Sequence, residues 1–81
     1  MFENTTLLSL AEECNYSLSG HASTEDVTRN FPRNLRGSAK GALQTLRKKG
    51  YCTQVGGKRS RRYRLSRYGL NQAFELVESQ P

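Results

Sequence analysis

The sequence is poor in the residues that build catalytic and metal centres. Its 81 residues contain one histidine, His21, two cysteines and no tryptophan. A zinc site takes about four ligands, and Cys14 and Cys52 with one histidine fall short of that. We therefore expect both thiols to be buried and free. Without paired carboxylates in its basic half or a phosphate-cradling glycine loop, the chain is predicted to be neither an enzyme nor a cofactor carrier.

Long apolar runs are also missing. No run approaches the roughly 20 residues that span a bilayer, and no signal-peptide pattern opens the chain. We therefore expect a cytoplasmic protein with no membrane partner. A chain of this size has room for one core and one binding surface, since folding hides only about 60% of its surface. The length predicts a single domain over residues 1–81.

Each part of the chain lacks charge of one sign. Residues 1–28 contain no basic residue, whereas residues 29–67 contain all thirteen lysines and arginines and no acidic residue. The formal net charge is +6. Such segregation costs self-repulsion, which an anionic partner relieves, while a merely solvated surface usually mixes both signs. The distribution favours a nucleic-acid partner.

Apolar spacing predicts two helices in the first part of the chain. The first buries residues at three- and four-residue intervals, namely Leu7, Leu10, Ala11 and Cys14. Its candidate caps are Asn4, Thr5 and Thr6, and its end is at Asn15 or within residues 17–20. Ser23 and Asp26 form a variant of the capping box, which opens a short second helix. That helix runs to about Asn30 because Pro32 disfavours helical geometry at Phe31; Val27 and Phe31 are its apolar anchors.

A third helix is predicted over residues 38–49, after a basic turn at residues 33–37. Its apolar stripe has helical spacing and consists of Ala39, Ala42, Leu43 and Leu46. Gly50 ends it in the left-handed conformation that helix ends favour. The opposite face is cationic and hydrogen-bonding.

The period then changes from 3.6 to 2, which predicts strands at residues 51–55 and 61–65 around a turn at Gly56 and Gly57. The preferred register sets Tyr51 opposite Tyr63 and leaves Arg62 and Arg64 facing out. It buries four side chains: Tyr51, Val55, Tyr63 and Leu65. A two-residue loop would instead group Cys52 with Tyr63 and Leu65, because a slip of one residue exchanges the faces.

A last helix begins at Ser66 as N-cap. Its predicted buried residues follow at three- and four-residue steps: Leu70, Ala73, Phe74 and Val77. The predicted order is helix, helix, helix, hairpin, helix, which makes an α+β fold.

Two local patterns in this order resemble the winged helix-turn-helix DNA-binding family, in particular small prokaryotic regulators of the MarR, ArsR and PadR kind. Residues 42–51 (ALQTLRKKGY) are similar to the end of the family's recognition helix and the start of its first wing strand. Residues 63–69 (YRLSRYG) are similar to the entry to its post-wing helix. The resemblance covers residues 38–77 and implies three helices, a β-hairpin wing and a C-terminal helix.

The resemblance implies a duplex-DNA-binding transcriptional regulator that is nucleoid-associated. Its third helix would enter the major groove, where Lys40, Gln44 and Arg47 form one line of polar side chains, while Ser38 and Gly41 allow close backbone approach. The wing tip would lie along phosphates or in the minor groove. The candidate DNA-binding residues are Arg36, Ser38, Lys40, Gly41, Gln44, Arg47, Lys48, Lys58, Arg59, Ser60, Arg61 and Arg62.

Two other functions fit the same basic face. One is binding of structured RNA, which the expected burial of Tyr51 and Tyr63 disfavours because single-stranded readers need exposed aromatics for stacking. The other is a non-specific chromatin-architectural or protein-interaction module. The sequence also predicts a homodimer through the first and last helices, with Leu8 and Leu76, which lie off the main stripes, facing a second copy.

Overall fold

A computed structural model describes residues 2–57 and 59–79. Within these residues the chain forms a small α+β fold of four α-helices and a three-stranded antiparallel sheet. The elements are α1 (Phe2–Glu13), β1 (Ala22–Ser23), α2 (Thr24–Thr28), a 3₁₀ turn (Arg33–Leu35), α3 (Arg36–Lys48), β2 (Cys52–Val55), β3 (Arg62–Leu65) and α4 (Arg67–Glu78). None of the helices in this part of the chain is long and apolar enough to cross a membrane.

The core lies around α1, which packs against α2, α3 and α4. Its largest fully buried members include Leu7, Leu10, Leu43 and Leu46. Both cysteines are buried and free, which confirms the prediction. Burial raises the pKa of the Cys52 thiol to about 12, since the thiolate would lose its hydration there.

Helix α1 begins earlier than the sequence predicts. The three predicted caps, Asn4, Thr5 and Thr6, lie inside the helix, so that prediction is wrong. Thr6 is fully buried, and packing of this kind outweighs its preference for a cap. The helix ends at Glu13, two residues before the nearer of the predicted ends, and Asn15 and Tyr16 follow it with positive φ values of 56° and 52°.

Helix α2 has the predicted capping box. The Ser23 hydroxyl accepts a hydrogen bond from the Asp26 amide at 3.0 Å, and the Asp26 carboxylate accepts one from the Ser23 amide at 3.3 Å. Val27 and Phe31 are buried, as predicted. The helix ends at Thr28, two residues before the predicted end.

Helix α3 buries all four residues of the predicted stripe. Gly50 follows it with φ +85°, as predicted. Its start at Ser38 is wrong: the helix begins at Arg36, because the basic stretch before it coils into a 3₁₀ turn that leads directly into the helix. Arg36 is tied there by a hydrogen bond from its Nε to the Phe31 carbonyl at 3.2 Å.

The preferred hairpin register is wrong. Cys52 pairs with Leu65 and Gln54 with Tyr63, so Cys52 joins Tyr63 and Leu65 on the buried face. Tyr51 lies one residue before β2, where its amide donates to the Leu46 carbonyl at 2.9 Å at the end of α3, and its side chain is only partly buried against the core. Arg62 and Arg64 face outward, as predicted.

Strand β1 is absent from the prediction. It pairs with β3, so that Ala22 lies opposite Tyr63 and Ser23 opposite Arg62. The strand order is β1-β3-β2, which makes β3 the central strand. Two residues are too short to give a periodic signal.

Helix α4 has the predicted cap, since the Ser66 hydroxyl accepts from the Gly69 amide at 3.0 Å. Its buried face is rotated from the predicted one: Gly69 and Ala73 are buried, whereas Phe74 and Val77 are 45% and 43% exposed. The rotation follows from Gly69, which lets the helix backbone lie directly against the Tyr51 carbonyl.

The predicted dimer assigns Leu8 and Leu76 to the contact with a second copy. Both side chains are partly buried and pack against the core of their own chain. The dimer itself stays a prediction. Phe74, one of the two exposed aromatic residues of α4, stacks on Tyr16 with ring centroids 5.4 Å apart.

Candidate nucleic-acid interface

The cations of this protein lie on its surface. Lys58 lies outside the described residues, and the other twelve lysines and arginines are all exposed. Three ion pairs are formed among the described residues, by Arg29, Lys49 and Arg61 with Asp26, Glu3 and Glu25 respectively. Most of the positive charge is therefore available to an anionic partner.

The exposed side of α3 forms one wall of a groove. A depression of about 370 Å³ is lined by Lys40, Gly41 and Gln44 on α3 and by Ser60 and Arg61 in the hairpin loop before β3. A second depression of about 310 Å³ shares Glu25 and Lys40 with the first and extends it to the other cations Arg29 and Arg36. We refer to these two adjacent depressions together as the α3 groove.

Hydrogen bonds with Tyr63 and Arg47 hold the side chain of Gln44 in place in the α3 groove. Its Nε2 donates a hydrogen bond to the Tyr63 hydroxyl at 2.7 Å, and its Oε1 accepts one from Arg47 Nε at 3.3 Å. Tyr63 is a core residue whose hydroxyl reaches the groove. The amide keeps one N–H and one lone pair for a ligand. Gln44 is therefore an oriented polar group at the centre of the groove.

The first two residues of α2 hold the hairpin wall of the groove against that helix. The Arg61 carbonyl accepts two hydrogen bonds from Thr24, from its amide at 2.7 Å and from its hydroxyl at 3.1 Å. Arg61 also donates to the Glu25 carboxylate at 3.0 Å. These contacts fix the distance between the hairpin and the helices.

Glu25 is the acidic residue of the groove. Its own backbone amide, followed by the Arg61 guanidinium, holds the pKa of its carboxyl below the ordinary value, and the Lys40 charge acts in the same direction. Glu25 is therefore ionised at neutral pH and offsets part of the cationic charge around it.

Ser60 has a structural role at the hairpin tip. Its amide donates to the Gly57 carbonyl at 3.1 Å, its hydroxyl accepts from the Arg62 amide at 3.1 Å, and its carbonyl accepts from Gln54 Nε2 at 2.8 Å. Three hydrogen bonds at one residue shape the turn that carries Arg61. Ser60 therefore shapes the loop, and its contact with DNA stays a prediction.

The structure brings together only part of the predicted set. Six predicted residues line the α3 groove: Arg36, Lys40, Gly41, Gln44, Ser60 and Arg61. Arg47 joins them through its bond to Gln44. The remaining described residues do not line the groove: Ser38, Lys48 and Arg59 are simply exposed, and Arg62 points to the other side of β3, where its Nε donates to His21 Nδ1 at 2.9 Å.

Sequence reasoning missed the contribution of α2. Thr24, Glu25 and Arg29 line the groove, and they reach it because β1 pairs with β3. The capping box locates the start of α2, but no local pattern indicates that residues 24 and 61 are in contact. A contact across 37 positions needs the tertiary fold.

No family model, curated protein or solved structure matches this chain.

Proposed function

We propose that this protein binds duplex DNA through the α3 groove and acts as a transcriptional regulator. One observation carries the proposal: the cationic, hydrogen-bonding face of α3 lies beside a hairpin wall that contributes Arg61. A helix about 10 to 12 Å across fits the major groove of B-DNA, which is about 12 Å wide. Lysine and arginine bind phosphates by releasing condensed counterions.

The order of elements supports the narrower proposal of a winged helix-turn-helix domain. In that arrangement α2 and α3 are the helix pair, β2 and β3 form the wing, and α3 is the recognition helix. Lys40 and Gln44 face base edges, with Gln44 pre-oriented by Tyr63 and suited to adenine. Arg36 and Arg47 contact phosphates at either end of the helix.

Salt dependence tests the proposal. If about five phosphates are neutralised, the logarithm of the association constant falls against the logarithm of the salt concentration with a slope of about −4 to −5. Fluorescence anisotropy of a labelled duplex over a salt series measures this slope. Duplex RNA of the same sequence is the control, because its narrow major groove excludes a helix. A flat salt response, or equal affinity for the RNA, would contradict the proposal.

Glu25→Gln is expected to strengthen duplex binding about threefold at low salt. The substitution removes the negative charge of the groove and releases Arg61 from its ion pair, so that both changes favour phosphates. Glu78→Gln is the matched control, since it removes the same charge from the end of α4 and is expected to leave the affinity nearly unchanged. Anisotropy titrations of the two variants with one duplex make the comparison. Equal changes in affinity would mean that the α3 groove is not the surface that contacts DNA.

A further inference from the structure

Two tyrosines form a stacked pair on the surface, outside the α3 groove. The ring centroids of Tyr51 and Tyr68 are 4.7 Å apart, the planes are inclined by 12°, and the hydroxyls are 3.4 Å apart. Tyr68 is 57% exposed, more than any other large hydrophobic residue of the described chain. Tyr51 therefore covers one side of a ring that otherwise faces solvent.

The pair lies at the outer face of the hairpin. Side chains alternate along a strand, so Tyr51 and Thr53 lie on the opposite face from the buried Cys52. The Ser66 amide donates to the Tyr51 carbonyl at 3.1 Å, which continues the β2–β3 pairing by one step beyond Cys52 and Leu65. Arg64 is then the diagonal neighbour of Tyr51 on this face.

This outer face is cationic. Arg64 is exposed on β3, and Arg67 is exposed one position before Tyr68, at the start of α4. Within residues 2–57 and 59–79, neither guanidinium has a carboxylate within ion-pair distance. The face combines an aromatic ring with free positive charge.

We propose that Tyr51, Tyr68, Arg64 and Arg67 form a second binding surface, which stacks an unpaired base of a single-stranded nucleic acid and contacts its phosphates. Exposed aromatic rings beside cations are the general means of holding unpaired bases, because every base has a π-face and each nucleotide a negative charge. The surface is separate from the α3 groove, since Tyr63 reaches that groove from the opposite face of β3. It is independent of the proposed duplex binding.

Substitution of Tyr68 tests this surface. The probes are labelled oligothymidylate and oligouridylate of about ten nucleotides, read by anisotropy. Tyr68→Ala is expected to weaken their binding about tenfold and to leave duplex affinity within about twofold, while Tyr68→Phe retains the stack and the affinity. Lys40→Ala, in the groove, is the control that spares the single strand. The ratio of the affinities for oligothymidylate and oligouridylate shows whether the bound base comes from DNA or from RNA.

A second variant covers the case in which Tyr68→Ala disturbs α4. Arg64→Glu changes only an exposed strand residue and is expected to weaken binding of the same oligonucleotides at low salt, with little effect on the duplex. Circular dichroism of both variants checks that they are folded. The proposal is overturned if neither oligonucleotide binds, if folded Tyr68→Ala and Arg64→Glu bind them like the unaltered protein, or if the variants weaken duplex and single strand equally.

Discussion

Lys40→Glu is expected to weaken binding to duplex DNA about a hundredfold at low salt. Lys40 belongs to both depressions of the α3 groove and lies near Glu25, so the substitution replaces a central cation with a second carboxylate. A phosphate facing this position would meet repulsion instead of attraction. Anisotropy with one duplex measures the change, and the salt slope should also become shallower.

Lys49→Glu is the matched control for this result. It makes the same change of charge on an exposed lysine one position beyond α3, where the side chain pairs with Glu3 away from the groove. An exposed ion pair contributes little to stability, so the variant is expected to fold normally and to lose less than about threefold in affinity. If both variants lose the same affinity, net charge alone governs binding and the groove is not the contact surface.

Gly69→Ala is expected to lower the free energy of unfolding by about 3 kcal/mol. A methyl group at position 69 would overlap the carbonyl oxygen of Tyr51 and crowd its carbon at 2.8 Å, and backbone atoms cannot turn aside as a flexible side chain can. The overlap outweighs the roughly 1 kcal/mol by which alanine favours a helix over glycine. Urea unfolding followed by circular dichroism measures the loss.

Gly41→Ala separates the steric effect from helix propensity. Gly41 is also helical, but a methyl group there meets no atom within 4 Å. This variant is expected to be more stable by up to about 1 kcal/mol. Equal stability of the Gly69→Ala variant and the unaltered protein would mean that the backbone of α4 is not in direct contact with Tyr51.

The parts of the fold that the sequence predicts well are specified within a few residues. The capping box at Ser23, the cap at Ser66 and the end of α3 at Gly50 each depend on local hydrogen bonds or on local backbone conformation. The buried stripe of α3 was predicted in full because an amphipathic helix shows its period directly in the chain. The cationic residues of that helix were found for the same reason.

The parts that could not be predicted depend on contacts between distant residues. The hairpin begins directly after Tyr51, whose amide donates to a carbonyl at the end of α3. The choice of the buried face of α4 depends on the close approach of Gly69 to the Tyr51 carbonyl. Periodicity alone predicts that Phe74 is buried, because a sequence pattern does not reveal either of these two contacts. The α2 wall of the groove was missed because pairing of Ala22 with Tyr63 joins residues 41 positions apart.

The pairing of β1 with β3 has a consequence for the stage of folding at which the α3 groove forms. Closing a loop of about 40 residues is entropically costly and tends to occur late in folding, after local helices have formed. A fragment that contains α3 alone carries its lysines and arginines but neither of the two walls that flank them. The proposed binding of duplex DNA therefore requires the complete fold, and a nascent or partly degraded chain is expected to bind the duplex more weakly.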